Sequence, residues 1–281
     1  MLAIALGLGS SVCWGLADFL GGLQSRRHAV ATVLLVSEIA GLAPVVLYVA
    51  LSGAAAPAWV HLWPAAAGGA AGVVALGAFY RALATGTMSI VAPISATGAI
   101  VPLAVGIAEG DRPGVLRLAG IVAALLGVVL AARELGADER PRAGGVSGGV
   151  ALALVAALGF GLFFVGLRSA ASASVPWAML VARASAVPLV ALAVLGARAP
   201  LRLGRSVLPA LAVVGLLDVS ANGLYALATT HGLLSVVSVL GSLYPVTTVL
   251  LARLVLHERV RRTQELGIVI VLAGVGLIAA G

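Results

Sequence analysis

The chain has 281 residues, of which 62% are hydrophobic and only 10% are charged, against about 25% charged residues in a typical soluble domain. The low charge and the long apolar runs exclude an ordinary water-soluble protein and indicate a multi-pass membrane protein. The formal net charge is +7, but the basic residues, all of them Arg, cluster between apolar runs. This pattern indicates membrane loops and argues against a nucleic-acid partner.

Ten apolar segments follow one another along the chain, each about long enough to cross the lipid bilayer as a helix. Helices are expected because lipid cannot satisfy the polar groups of an open backbone. The first segment has no basic leader, and its part from Trp14 to Asp18 lacks the small-residue pattern of a cleavage site, so we expect the segment to be retained. In chain order, spans one to ten are 2–24, 30–52, 62–84, 88–108, 115–133, 146–168, 175–196, 207–229, 233–256 and 263–280.

A polar linker at 134–146 separates two similar halves, 1–133 and 147–281. Residues of the same or similar type recur at separations of 145 to 147: Pro64 and Pro209, Tyr80 and Tyr225, Gly120 and Gly267, Gly127 and Gly274, Ser95 and Ser242, and Trp14-Gly15 and Phe160-Gly161. Five spans per half is an odd number, so the second half enters the membrane inverted. We therefore predict an all-α integral membrane protein of ten transmembrane helices in two inverted five-helix repeats. Such repeats are typical of secondary transporters, although a duplication without transport is the alternative.

Several motifs carry a family resemblance. They are Trp14-Gly15 in span one, the runs YRAL from Tyr80 and YALA from Tyr225 at the ends of spans three and eight, and acidic residues after spans four and nine, namely Glu109 or Asp111 and then Glu258. With these motifs the whole chain resembles the EamA family of the drug/metabolite transporter superfamily. The resemblance implies a multi-pass carrier of the inner (plasma) membrane that exports or exchanges small metabolites, such as amino acids or related compounds. A membrane-embedded enzyme is an alternative class, but the sequence holds no HExxH motif and no paired catalytic carboxylates on one helix, so we expect that the protein is not an enzyme.

Four charged residues lie well inside spans, away from the span ends, where each costs about 2.5–3.5 kcal/mol at the helix centre unless it has a partner, water or a function. Asp18 lies one helical turn after Trp14, so both side chains share a face and could line a cavity for an amphipathic or cationic substrate. Alternatively, Asp18 reaches the interface or pairs with Arg26 or Arg27.

Glu38 and Arg183 hold near-equivalent places in spans two and seven. They either form an ion pair across the repeat interface or bind substrate charge, and Glu38 is also a candidate proton carrier. Burial disfavours the charged form of a carboxylate, which makes Asp18, Glu38 and Asp218 the candidates for proton coupling. In span eight, Asp218, Asn222, Tyr225 and Thr229 form one polar stripe that faces either the cavity or a neighbouring helix.

Pro93 and Pro102 in span four and Pro245 in span nine are expected to interrupt their helices among many Ser and Thr residues. These spans are then either gates or static kinks. Tyr80 and Tyr244 are gate or stacking residues, or interfacial anchors. We predict substrate contacts at Trp14, Asp18, Glu38, Tyr80, Arg183, Asp218, Asn222, Tyr225, Ser242 and Tyr244, with spans one, three, four, six, eight and nine around the cavity.

Other signals argue against further chemistry. The chain contains no Lys and therefore no phosphate loop of an ATP-driven pump, and we expect no cofactor. The four His residues share no helical face, so we expect no metal site, and the single Cys13 permits no intrachain disulfide. Gly120 and Gly127, like Gly267 and Gly274, predict close helix packing against a neighbour or a second subunit. Both a monomer and a homodimer agree with the sequence.

The Arg distribution predicts the orientation. Thirteen Arg residues fall in or next to odd-numbered loops and three in or next to even-numbered ones, which predicts the odd loops in the cytoplasm and both termini outside. The family resemblance instead implies that both termini lie inside. The function predicted is alternating-access, secondary-active transport with a hypothesis of proton coupling. The alternatives are a channel, a structural membrane protein, or a facilitative uniporter without proton coupling.

Overall fold

The computed structural model describes residues 1–85, 88–132, 145–201, 203–256 and 262–281, and within these ranges it is all-helical, with no strand. The helices are α1 Leu2–Ser25, α2 Val30–Ser52, α3 Trp59–Thr85, α4 Met88–Ala96, α5 Ile100–Ala108, α6 Val115–Ala132, α7 Gly145–Ala171, α8 Val175–Gly196, α9 Leu208–His231, α10 Leu234–Gly241, α11 Tyr244–Leu256 and α12 Arg262–Ala280.

Helices lie where each apolar segment predicted one, with boundaries that agree within a few residues. Six of the described helices, α1, α2, α3, α7, α8 and α9, are long and apolar enough to cross a membrane. The others are shorter apolar helices. Most of the predicted linker at 134–146 lies outside the described residues, as does Glu258.

Spans four and nine are each broken near the middle. A 3-10 turn at Thr97–Ala99 separates α4 from α5, and Ser242 and Leu243 separate α10 from α11. Pro102 and Pro245 lie in the first turns of α5 and α11, where a missing backbone N–H costs little. The predicted interruption therefore comes just before these prolines, whereas Pro93, expected to break its helix, lies inside α4.

Glycines bring the helix backbones into contact. A Cβ at Gly69 of α3 would clash with the carbonyl oxygen of Ala182 in α8, and one at Gly215 of α9 would clash with that of Ser37 in α2. Close approach of two backbones requires a residue without a side chain at such crossings.

Helices α6 and α12 cross in the same way. A Cβ at Gly120 would lie 2.6 Å from the carbonyl oxygen of Gly274, and one at Gly127 would lie 2.7 Å from that of Gly267. The prediction that these glycines pack against a neighbouring helix is confirmed, and the neighbour belongs to the same chain.

An acidic side chain links spans four and nine. The carboxylate of Asp111, which follows α5, accepts a hydrogen bond of 2.8 Å from the backbone N–H of Ser235 at the start of α10. The first N–H groups of a helix have no partner within the helix, so Asp111 satisfies one of them from the other half of the chain.

Candidate functional site

A cavity lies at the centre of the helix bundle. Its empty volume is about 720 Å³, a figure that includes open space at its mouth. Its wall consists of Trp14, Asp18, Glu38, Gly69, Gly72, Val73, Leu76, Phe160, Phe163, Phe164, Leu167, Met179, Ala182, Arg183, Ala186, Asp218, Val219, Asn222 and Tyr244. Both halves of the chain thus contribute to one cavity.

An ion triad forms one side of this cavity. Arg183 of α8 donates through Nη1 to Oε2 of Glu38 in α2 at 2.6 Å, and through Nη2 to Oδ2 of Asp218 in α9. The side chains of Arg183 and Glu38 are only 5% and 6% exposed. Of the alternatives that the sequence left open for Glu38 and Arg183, the structure shows the ion pair, and Asp218 joins it. Buried charges persist when they are paired and hydrogen-bonded in this way.

The triad continues into a chain of hydrogen bonds. Asn222, one turn after Asp218 on α9, donates through Nδ2 to Oδ2 of Asp218 at 3.3 Å. Its own Oδ1 accepts from Nε1 of Trp14 in α1 at 3.1 Å. The network connects α2, α8, α9 and α1, and it fixes both the amide of Asn222 and the indole ring of Trp14.

Asp18 lies apart from this network. It is 5% exposed and lines the cavity on the same face of α1 as Trp14. Among the residues that the structure describes, its carboxylate has no hydrogen-bond or ion-pair partner, and the exposed Arg26 and Arg27 do not reach it. Of the two sequence-based alternatives for Asp18, the structure supports the cavity.

Aromatic rings form much of the remaining wall. The ring centroids of Trp14 and Phe164 are 5.2 Å apart, and those of Phe160 and Tyr244 are 6.4 Å apart. The hydroxyl group of Tyr244 shares a hydrogen bond of 2.7 Å with Ser95. The cavity therefore offers a rigid apolar surface next to buried carboxylates, an arrangement that suits a small amphipathic molecule.

A comparison with family models finds that residues 147–280 match the EamA-like transporter family. The second half of this chain belongs to that family. EamA-like domains are the domains of the drug/metabolite transporter superfamily, whose members are membrane transporters. Together with the apolar helices, this match of the second half supports a multi-pass membrane protein of transporter type.

The fold of this EamA-like protein is also found among solved structures. One of them, described as "Crystal structure of protein", superposes with a TM-score of 0.74 at 17% sequence identity, over 99% of this chain and 96% of its own. At this identity the likeness shows the fold alone. A comparison with curated proteins finds no match.

Three residues predicted to bind substrate do not line the cavity of this EamA-like protein. Tyr80 is 1% exposed and its hydroxyl group lies 3.4 Å from the carbonyl oxygen of Ala17. The hydroxyl group of Tyr225 bonds to Ser238 at 2.8 Å, and Ser242 donates to the carbonyl oxygen of Val239 at 2.8 Å. They lie in the helix core, and substrate contact at these positions stays a prediction.

The polar stripe of α9 therefore has two roles. Asp218 and Asn222 face the cavity, whereas Tyr225 bonds to α10 and Thr229 is buried and bonds to its own helix. Each of the two sequence-based alternatives holds for one part of the stripe.

The set of helices around the cavity also differs from expectation. Spans two and seven contribute Glu38 and Arg183, and no described residue of span four lines the wall. Burial without a partner would be too costly for Glu38 and Arg183, so both turn inward toward each other. Sequence reasoning also missed Phe160 and Phe164, although the repeat aligns them with Trp14 and Asp18 at a separation of 146 residues and could have revealed them.

Proposed function

We propose that this protein is a secondary-active, alternating-access transporter that exports or exchanges a small polar or amphipathic metabolite, such as an amino acid or a related compound. The observation that carries the proposal is the central cavity, in which helices of both halves enclose buried charges that are costly to keep in a membrane. Its wall supplies seven of the predicted binding residues, Trp14, Asp18, Glu38, Arg183, Asp218, Asn222 and Tyr244.

Pairs of helix contacts in which the two halves exchange places support the proposal of two inverted five-helix repeats, residues 1–133 and 147–281 around a linker at 134–146. Gly215 lies 146 residues after Gly69, and Ser37 lies 145 residues before Ala182. The contact of Gly69 with Ala182 therefore has a counterpart in the contact of Gly215 with Ser37. Two halves related by a two-fold axis would make such pairs of contacts.

A second pair of contacts obeys the same rule. A Cβ at Gly15 would lie 2.7 Å from the carbonyl oxygen of Tyr244, and one at Gly161 would lie 2.6 Å from that of Gly98. Each residue of the first contact lies 146 positions from its counterpart in the second. In this proposal the broken helices α4–α5 and α10–α11 are equivalent spans, and ten spans in total cross the inner (plasma) membrane.

The test is counterflow in proteoliposomes. Metabolites that raise the unfolding temperature of the purified protein are identified first, and vesicles preloaded with each unlabelled compound are then given a trace of its labelled form. A carrier concentrates the label transiently and saturates, and Asp218→Ala combined with Asn222→Ala abolishes this effect. Flux without saturation or counterflow would indicate a channel, and no flux for any stabilising compound would contradict transport.

Proton coupling is proposed for the carboxylates of Asp18, Glu38 and Asp218. Counterflow substrates are then tested for accumulation driven by an imposed pH gradient across the vesicle membrane. We expect accumulation in the wild type and its loss in at least one of Asp18→Asn, Glu38→Gln and Asp218→Asn. Transport that ignores the gradient in the wild type would leave a facilitative uniporter.

The proposed orientation has both termini outside, with the protein as a monomer or a homodimer. Ser52 ends α2 and is exposed, so it is a suitable labelling site next to an even-numbered loop. With Cys13 replaced by Ala, an impermeant thiol reagent should label Ser52→Cys in intact cells and spare Pro141→Cys. The reverse pattern would place both termini inside.

A further inference from the structure

We infer that the cavity takes an organic cation, namely a protonated amine that carries an apolar or aromatic body, and that its ammonium group pairs with Asp18. This inference rests on the proposed function, since it names the chemical class of the transported substrate.

The charges on the cavity wall do not balance. Its described residues include three carboxylates, Asp18, Glu38 and Asp218, and one guanidinium group, that of Arg183. Arg183 is engaged with Glu38 and Asp218 together. The carboxylate of Asp18 is left without a partner, although it is 95% buried, being 5% exposed. A buried ion needs a counter-charge, and a cationic ligand supplies it.

The same charges disfavour an anionic ligand. Asp18 and Asp218 both lie on the cavity wall, so a ligand carboxylate would add a further like charge. The one guanidinium group of the described wall already has two carboxylate partners. Binding an anion there would require breaking an ion pair, whereas a cation at Asp18 leaves the triad intact.

The aromatic wall suits the remainder of such a ligand. Trp14 lies one helical turn before Asp18, and the hydrogen bond from its indole to Asn222 holds the ring in place. Phe164 lies beside it at a centroid distance of 5.2 Å. An ammonium group next to an indole face gains cation–π attraction, and the body of the ligand packs against the rings.

The test uses three compounds of similar shape and different charge: phenethylamine, 2-phenylethanol and 3-phenylpropionate. Their binding to the purified full-length protein is measured by isothermal titration calorimetry at neutral pH. We expect phenethylamine to bind at least about tenfold more tightly than the alcohol, because truncating one side of a buried charge pair costs this much or more. The acid should bind most weakly of the three.

Asp18→Asn should bring the affinity for the amine down to that for the alcohol while leaving the affinity for the alcohol unchanged. Glu109→Gln, at an exposed carboxylate after α5, is the matched control and should bind the amine like the wild type. Thermal unfolding verifies that each variant is folded, and the unchanged affinity for the alcohol shows that the Asp18→Asn cavity is intact.

Several outcomes overturn the inference. These are no binding of the amine, equal or tighter binding of the alcohol or the acid, and full retention of amine affinity in Asp18→Asn. If counterflow nevertheless occurs with a neutral or anionic metabolite, the proposed function stands without the cation. If the amine binds through Asp18 but no compound shows counterflow, the cation site stands and transport fails.

Discussion

The two halves of the chain differ more at the cavity than at the helix crossings. At the crossings, Gly69 of the first half and Gly215 of the second receive equivalent backbone carbonyl groups of the opposite half. At the cavity, Asp18 is matched at a separation of 146 residues by Phe164, and Asp218 is matched at 145 by Val73. At a helix crossing the two backbones must approach closely, and this requirement is the same in both halves. A cavity for an asymmetric ligand imposes no such requirement, so its side chains can differ between the halves.

The largest expected effect is that of Arg183→Met, which removes the one charge that balances Glu38 and Asp218. Leaving buried carboxylates without their partner should destabilise the protein by about 3–5 kcal/mol. Thermal unfolding in detergent measures the loss. Arg112→Met, at an exposed position, is the control. A triple variant with Glu38→Gln, Arg183→Met and Asp218→Asn should recover most of the stability, and a fully stable single variant would show that the triad contributes little.

Gly69→Ala and Gly215→Ala test whether the crossings are equivalent. Each added methyl group meets a backbone carbonyl group that cannot move independently, so each should cost about 1–3 kcal/mol, the usual range for overpacking. The two losses of unfolding temperature should be alike. Gly196→Ala, at a helix end with open space around it, should be neutral. If only one of the two substitutions were tolerated, the prediction that the two crossings are equivalent would be wrong.

Asp111→Ala tests a contact by which the first half supports the second. The backbone N–H of Ser235 loses its acceptor, and removing a capping side chain costs about 1 kcal/mol. Glu109→Ala, nearby and exposed, serves as the control in the same unfolding measurement. Equal stability of the two variants would mean that water replaces the carboxylate at no cost.

The smallest expected effect is a difference in stability between substitutions at two tyrosines, Tyr80 and Tyr225, that the sequence repeat aligns. Tyr225 makes a hydrogen bond of 2.8 Å to Ser238, and Tyr80 makes only a longer one of 3.4 Å to the carbonyl oxygen of Ala17. Tyr225→Phe should cost about 0.5–1.5 kcal/mol, and Tyr80→Phe should cost less. Unfolding temperatures in the reverse order would contradict this ranking.

The positions of the helices and of the charged residues inside them were predictable from the sequence, because a lipid bilayer requires long apolar segments and makes charges within them costly. Runs of about 20 apolar residues located the helices, and the similar placing of Glu38 and Arg183 in spans two and seven made an ion pair one of the alternatives for them. The face that each apolar helix turns inward was not predictable. Lipid-facing and protein-facing residues are both apolar, so no periodicity separates Phe160 on the cavity wall from Val12, which lies on the outer surface.

Similarly, the polar stripe of α9 predicted which residues share one side of the helix but not what that side contacts. Asp218 and Tyr225 lie on one side of the helix, yet they meet the cavity and α10 respectively. The crossing of another helix part-way along the stripe decides between these surroundings, and such a crossing depends on residues far away in the chain, such as the glycines that admit it.

The ion pair between Glu38 and Arg183 has a consequence for the symmetry of the chain. In the proposed inverted-repeat arrangement these two residues hold near-equivalent positions, so exchanging the two halves would exchange the two partners of this contact. Two identical half-length chains, assembled in opposite orientations, would place Glu opposite Glu or Arg opposite Arg there. Opposite charges at this position therefore require two halves that differ in sequence, as they do in this chain.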